Sequence, residues 1–164
     1  MENSSATVPN RHVWRIVRTG RIDRLHLQTE ALAPLTEGDV RMRTRAVGLN
    51  FADIFALTGL YSATPEGPFI PGLEFSGAVE AVGAGVNAFK PGQAVMECTR
   101  FGAFAERIDV SAQQLLPLPT GWGFDQGIAF PVQTLTVWYA LKTLGDRQRG
   151  QRDQAGVSGS TRIR

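Results

Sequence analysis

The segment DVRMRTRAVG, residues 39–48, constrains the fold more than any other part of the 164-residue sequence. Apolar or small side chains alternate in it with three arginines, and this period of two is typical of a β-strand with one buried and one solvated face. A row of arginines can also bind phosphates, but a solvated strand face is the more common origin of such a row. The segment therefore predicts a sheet with one face in water.

Other segments extend this pattern into a mainly β domain with short helices. The 18 glycines and 9 prolines favour frequent turns. About seven short strands are expected, among them HVWRIVRTG, RLHLQTEALA, EFSGAVEAVG, AVMECTRF and FAERIDV. LLPLPTGWG is expected to be a turn-rich connector between the strands and the last helices.

Two regions predict helices. NFADIFALTG has Asn50 as a candidate N-cap and Gly59 as a stop, which predicts one short helix. From residue 125 to 144 the apolar period becomes helical, and Pro131 divides it into pieces at about 125–130 and 133–144. The domain is therefore expected at 11–145.

The two ends of the sequence do not fit a packed core. Residues 1–10 are polar and are predicted to be disordered, and residues 146–164 are predicted to be a non-core tail. The tail holds five arginines and two aspartates, so the remaining residues have twelve basic and thirteen acidic side chains. The basic charge thus belongs to the tail, and no nucleic-acid partner is expected.

Targeting and metal signals are weak. The sequence has one cysteine, Cys98, which excludes an intrachain disulfide and a thiolate zinc cluster. His12 and His26 are expected to be surface residues or partly packed residues, not metal ligands. No signal peptide and no apolar run of membrane-spanning length occurs, so a cytoplasmic protein without a membrane partner is predicted.

One glycine motif is misleading. GAGVNA, residues 83–88, has the form G-x-G-x-x-A that can bind a dinucleotide when it opens a helix. Pro91 follows too closely for a helix of useful length, so a turn between strands is expected instead.

Asn50 and Asp53 are the strongest candidate site residues. They are three residues apart on the predicted helix, so both polar groups lie on the same side of one turn. An N-cap with an acidic residue that offsets the helix dipole is the alternative explanation. In TLTVWY, Thr134, Thr136 and Trp138 could face a cleft, or the hydroxyl groups could simply bond back to the backbone.

In combination, the motifs resemble the medium-chain dehydrogenase/reductase superfamily, and in particular its zinc-independent quinone oxidoreductase branch. The motifs are V-G-L-N-x-x-D from Val47, G-L-Y ending at Tyr61, P-x-x-P-G-x-E-x-x-G from Pro68, K-P-G from Lys90, and T-V-x-Y-x-L from Thr136. Zinc-dependent members of the superfamily have Cys where Asn50 stands and His where Leu73 stands, so no metal is expected.

This resemblance implies a GroES-like partly open β-barrel, whose C-terminal helices lead to a Rossmann domain that binds NADPH. It implies hydride transfer to a quinone or an α,β-unsaturated carbonyl compound. Asn50 and Asp53 would contact the cofactor and the substrate cleft, Tyr61 would line the substrate pocket, and Thr136 would lie against the nicotinamide.

The resemblance covers about residues 13–146, and the family pattern is lost after Gln151. The family has there a buried strand and a glycine-rich phosphate loop, whereas this sequence reads RDQAGVSGSTRIR. An inactive catalytic domain without its cofactor-binding half, produced by a frameshift or an early stop, is therefore predicted. A natural short form and a non-catalytic stand-alone module with a binding or regulatory role remain the alternatives.

Overall fold

The computed structural model describes residues 9–145. The predicted tail at 146–164 and residues 1–8 of the predicted disordered N-terminus lie outside the described residues. Asn10 is the first residue of a strand, so regular structure begins one residue before the predicted domain boundary.

The described residues contain seven strands and three α-helices in the order that the sequence predicts. The strands are β1 (Asn10–Ile16), β2 (Leu25–Ala31), β3 (Asp39–Gly48), β4 (Glu74–Val82), β5 (Ala94–Cys98), β6 (Arg107–Ser111) and β7 (Leu116–Pro117). The helices are α1 (Phe51–Thr58), α2 (Phe124–Ile128) and α3 (Pro131–Tyr139). A 3-10 turn at Ile22–Arg24 precedes β2, and a π-helical turn at Ala140–Leu144 follows α3.

The strands form two antiparallel sheets. β1 and β2 make a hairpin, and the other five strands are ordered β6-β3-β4-β5-β7. Isolated bridges from Val13 to Ala105 and from Ile16 to Phe69 attach the hairpin to loops of the larger part. The sheets do not close on each other, so the predicted partly open β-barrel is confirmed.

Buried and solvent-facing side chains alternate along β3, as the sequence predicts. Val40 and Met42 are fully buried in the main core, beside Phe75 of β4. On the other face, the Nε and Nη2 atoms of Arg41 donate to the two carboxylate oxygens of Asp109 at 2.8 and 2.7 Å. Arg43 is paired with Glu106, so two of the three arginines on this charged outer face are paired with acids.

Helix α1 begins and ends where its sequence predicts. Asn50 is its N-cap in an extended conformation, and Gly59 follows the last turn with φ of +80°. The helix packs Ala56 and Leu57 against Ile16 and Phe69 in a second, smaller core cluster. This packing fixes the helix beside the hairpin and leaves its opposite face open.

Helix α3 corrects one prediction. It begins at Pro131, whereas the sequence predicted a helix from residue 133 with Pro131 outside it. Proline is well suited to a first helical position, because the N–H that it lacks has no partner there.

The chain divides into two compact units, one with the described residues up to Val132 and one that begins at Gln133. The second unit holds most of α3 and the π-helical turn. No helix within residues 9–145 is both long and apolar enough to cross a membrane.

Candidate functional site

Asn50 and Asp53 lie together at the start of α1, as their spacing predicts. The Asn50 N–H donates to Asp53 Oδ2 at 2.8 Å. Asp53 thereby closes a capping box with Asn50 at the start of α1. The Asn50 side chain also donates from Nδ2 to Glu74 Oε1 at 2.9 Å. The predicted N-cap therefore ties the start of α1 to the first residue of β4.

Glu74 is a site residue that sequence reasoning missed. Its side chain is buried, and Oε2 accepts a hydrogen bond from the Val132 N–H at 3.3 Å. Gly48 is its partner in the β3–β4 register. A Cβ atom on Gly48 would overlap the Glu74 carboxylate, so glycine is needed there. Two signals were available: Glu74 is the acidic residue of the motif P-x-x-P-G-x-E-x-x-G, and it stands at the start of an otherwise apolar, buried strand.

Burial raises the pKa of Asp53 above its ordinary value, and the nearby charge of Glu74 adds to the rise. The N–H groups of Asn50 and Gly72 oppose the rise. The Gly72 N–H lowers the Asp53 pKa because it lies near the carboxylate. It forms no hydrogen bond of good geometry, since Asp53 Oδ1 has no such partner among the described residues. Two buried carboxyl groups thus bind Asn50, Asp53 at its backbone N–H and Glu74 at its side-chain amide.

An open groove of about 320 Å³ is lined by both Asn50 and Asp53. Its other walls are apolar and include Phe51 and Ile54 of α1 and Leu49. Phe51 is 80% exposed, so its ring is free to contact a ligand. A groove with apolar walls and a few oriented polar groups suits a flat organic molecule.

Tyr61 lies in a different place from Asn50 and Asp53. It lines a groove with Arg18, Ser62 and Thr64. Its ring is edge-on to Phe101, with 6.4 Å between the ring centroids. Its role in a substrate pocket stays a prediction, and so does that of Thr136, which belongs to the second unit.

Glu97 and Cys98 are the last two residues of β5. Glu97 is fully buried opposite Phe75. Burial raises the Glu97 pKa to about 7, and Oε2 has no hydrogen-bond partner among the described residues. Burial also raises the pKa of the Cys98 thiol, and the charges of Glu74 and Glu97 add to this. The Cys98 thiol is therefore a weak nucleophile at neutral pH.

Among residues 9–145 no three His, Cys, Asp or Glu side chains are close enough to hold a metal ion. GAGVNA forms a turn, in which the Val86 N–H donates to Gly83 O at 3.3 Å. The expected turn is present, and it does not open a helix.

The partly open β-barrel and the site formed by Asn50, Asp53 and Glu74 define the class of protein as a GroES-like domain of the alcohol dehydrogenase type. The alcohol dehydrogenase GroES-like domain family matches residues 36–120. The chain belongs to the medium-chain dehydrogenase/reductase superfamily, in its zinc-independent quinone oxidoreductase branch.

Similar proteins agree with this assignment. The chain is 38% identical to human synaptic vesicle membrane protein VAT-1 homolog over 133 residues, which cover 80% of this chain and 34% of that protein. It is 40% identical to a Pseudomonas aeruginosa quinone oxidoreductase over 114 residues, covering 69% and 35%. The crystal structure of Escherichia coli quinone oxidoreductase complexed with NADPH superimposes with a TM-score of 0.74 at 28% identity, covering 83% of this chain and 41% of that one. The chain thus spans about a third of the length of these curated relatives.

Proposed function

We propose that this chain forms the substrate side of a cytoplasmic, NADPH-dependent oxidoreductase that reduces a quinone or another α,β-unsaturated carbonyl compound. The observation that carries the proposal is the amide of Asn50, held beside an apolar groove by the buried Glu74. The likeness to the Pseudomonas aeruginosa quinone oxidoreductase supports the same reaction class.

The residues present fit the nicotinamide end of the cofactor. Glu74 holds the Asn50 amide through one N–H of Nδ2, and this amide is the polar group offered to a ribose hydroxyl or to the carboxamide of the nicotinamide. Phe51 and Ile54 offer apolar surface next to it. Among the described residues no glycine-rich turn opens a helix that could bind the pyrophosphate. NADPH, when bound, supplies the hydride.

The chain's own residues act by positioning. Glu74 fixes the orientation of the Asn50 amide, and Asp53 fixes the Asn50 backbone. Preset polar groups orient a ligand without a further entropic cost in the reacting complex. The apolar walls exclude water from the reacting carbon. Among the described residues that line the groove, the buried Asp53 is the only acidic group, so the reduced acceptor is proposed to take its proton from water.

Two further roles belong to the proposal. Tyr61 lines the acceptor pocket, and Thr136 lies against the nicotinamide. The 164-residue chain on its own is proposed to bind NADPH weakly and to be inactive, because residues 9–145 offer contacts to the nicotinamide end alone.

A chimera tests the proposal. Residues 1–151 are joined to the C-terminal portion of the Pseudomonas aeruginosa quinone oxidoreductase, and NADPH oxidation is followed with 1,4-benzoquinone. The chimera is expected to reduce the quinone. Asp53→Ala and Tyr61→Ala are each expected to lower kcat/KM more than tenfold, roughly 1.4 kcal/mol.

Asp125→Ala is the matched control, because Asp125 also lies in the first turn of a helix but is exposed. It should leave the rate unchanged. A folded chimera that binds NADPH, yet is insensitive to the Asp53 and Tyr61 substitutions, contradicts the site assignment. Micromolar binding of NADPH by the 164-residue chain alone contradicts the proposed weak binding.

A further inference from the structure

A further groove adjoins the one that Tyr61 lines. It has a volume of about 420 Å³, and its walls are residues 62–65 together with Arg100 and Phe101. Three of residues 62–65 also line the groove of Tyr61, so the two grooves are continuous. The groove is named here the Arg100 groove.

Arg100 gives this groove a positive charge that no acid offsets. Its side chain is exposed, and within residues 9–145 it forms neither an ion pair nor a hydrogen bond. No carboxylate of the described residues lines the Arg100 groove, whereas Glu66 lines the neighbouring groove together with Arg18. A guanidinium group binds a carboxylate through two parallel N–H donors. The ligand group that Arg100 favours is therefore a carboxylate.

The Thr64 hydroxyl is a second unused donor at the same groove. Its Oγ1 atom is buried and has no hydrogen-bond partner among the described residues, which is unfavourable for a polar group. The Thr64 backbone is held in place, since its N–H donates to Tyr61 O at 3.0 Å. Thr64 as a whole is only half-buried, so rotation about its Cα–Cβ bond can turn the hydroxyl towards the groove. A carboxylate bound there gives this hydroxyl an acceptor.

We propose that the Arg100 groove binds the carboxylate of the acceptor, so that the reductase selects an α,β-unsaturated carbonyl compound that is also an acid. This inference rests on the proposed function, in which Tyr61 lines the acceptor pocket. The rings of Tyr61 and Phe101 meet edge-on, and Phe101 lines the Arg100 groove. A carboxylate held by Arg100 thus leaves the unsaturated carbons beside Tyr61. NADPH gives a hydride and water gives a proton, so the C=C bond becomes a single bond and NADP⁺ is released.

Binding to the 164-residue chain tests the carboxylate contact without turnover. The probe is 4-oxo-4-phenylbutanoate, the saturated form of an acidic enone, and its methyl ester is the uncharged control. NMR titration is expected to shift the amide signals of residues 62–65 and the Nε–H signal of Arg100. The Kd should be at least tenfold lower for the acid than for the ester.

Substitutions separate the two donors from general electrostatics. Arg100→Gln should remove the preference for the acid, and Arg100→Lys should keep part of it. Thr64→Val should weaken binding of the acid about threefold, whereas Thr64→Ser should not. Arg45→Gln is the matched control, because Arg45 is also exposed and has no acidic partner within residues 9–145; it should change neither affinity.

Turnover by the chimera with the Pseudomonas aeruginosa C-terminal portion provides the second arm. Its acceptors are 4-oxo-4-phenylbut-2-enoate and the methyl ester of this acid. Arg100→Gln is expected to lower kcat/KM about tenfold for the acid and to leave the value for the ester unchanged. A chimera that reduces neither compound contradicts the proposed function, and the titration then decides the carboxylate contact by itself.

Three results overturn the inference and leave the proposed function standing. The first is equal affinity for acid and ester, or no shift of the named signals at tens of millimolar ligand. The second is an equal shift of the same signals by sodium acetate, which would show an unselective anion contact. The third is a chimera in which Arg100→Gln lowers stability but not the acid-to-ester ratio of kcat/KM, which would assign Arg100 to a contact with the C-terminal portion.

Discussion

Replacement of Glu97 by glutamine should stabilise the protein at high pH and have little effect at low pH. The Glu97 carboxyl is 1% exposed, and burial raises its pKa from 4.5 to about 7. The folded state therefore holds a proton that the unfolded state has already released between these two pH values. As pH rises through this window, the free energy of unfolding of the natural protein falls.

The size of the effect follows from the shift. A difference of about 2.5 pKa units, at about 1.36 kcal/mol per unit, corresponds to roughly 3 kcal/mol lost between pH 4 and pH 8. Glu97→Gln keeps the shape and cannot ionise, so it should lose none of this amount. At pH 8 the variant should be about 3 kcal/mol more stable than the natural protein, and at pH 4 the two should be nearly equal.

Urea unfolding of both proteins at pH 4, 5, 6, 7 and 8 measures this difference. Other titrating groups contribute equally to both proteins and cancel. Glu106→Gln is the control of opposite sign. Hydrogen bonding, first from His12, lowers the Glu106 pKa to about 2, so that variant should lose stability at neutral pH and approach the natural protein near pH 2. A Glu97→Gln difference that does not change with pH would refute the reasoning.

Two other predictions concern the same region. Gly48→Ala should lower the free energy of unfolding in urea by roughly 1–3 kcal/mol, because the added Cβ overlaps the Glu74 carboxylate. Gly38→Ala is the control for backbone strain, since Gly38 has a positive φ and open space around it. Equal losses in the two variants would contradict the overlap. Cys98 should react with iodoacetamide at pH 7 more slowly than glutathione does, because burial and two nearby carboxylates raise its thiol pKa; a faster reaction, read by mass spectrometry, would contradict this.

The local pattern of the sequence predicted much of the fold. Alternation identified β3, and the short apolar runs between glycines and prolines identified the other long strands. The ends of α1 followed from Asn50 and Gly59, whose roles depend on the backbone of one helical turn. Pro131 was misplaced, because the same residue that breaks a helix interior also begins a helix well.

The candidate site could be predicted only where its residues are neighbours in the chain. Asn50 and Asp53 are three residues apart, and a helix brings them together. Glu74 is 24 residues from Asn50, and it meets the amide only because the β3–β4 register sets Gly48 opposite Glu74. No period in the sequence encodes that register, so the carboxylate that orients Asn50 was not assigned a role.

The attachment of β1 near the end of the barrel sequence has a consequence for biosynthesis. The Trp14 N–H donates to Phe104 O, and the Glu106 N–H donates to His12 O. The Arg11 side chain reaches Arg107 O across 96 residues of sequence. Strand β1 can therefore form these contacts only after residues 104–107 have left the ribosome. Such distant contacts slow folding. The side chains of Val13 and Ile16, which the folded protein buries completely, are therefore exposed during synthesis and are expected contacts for chaperones.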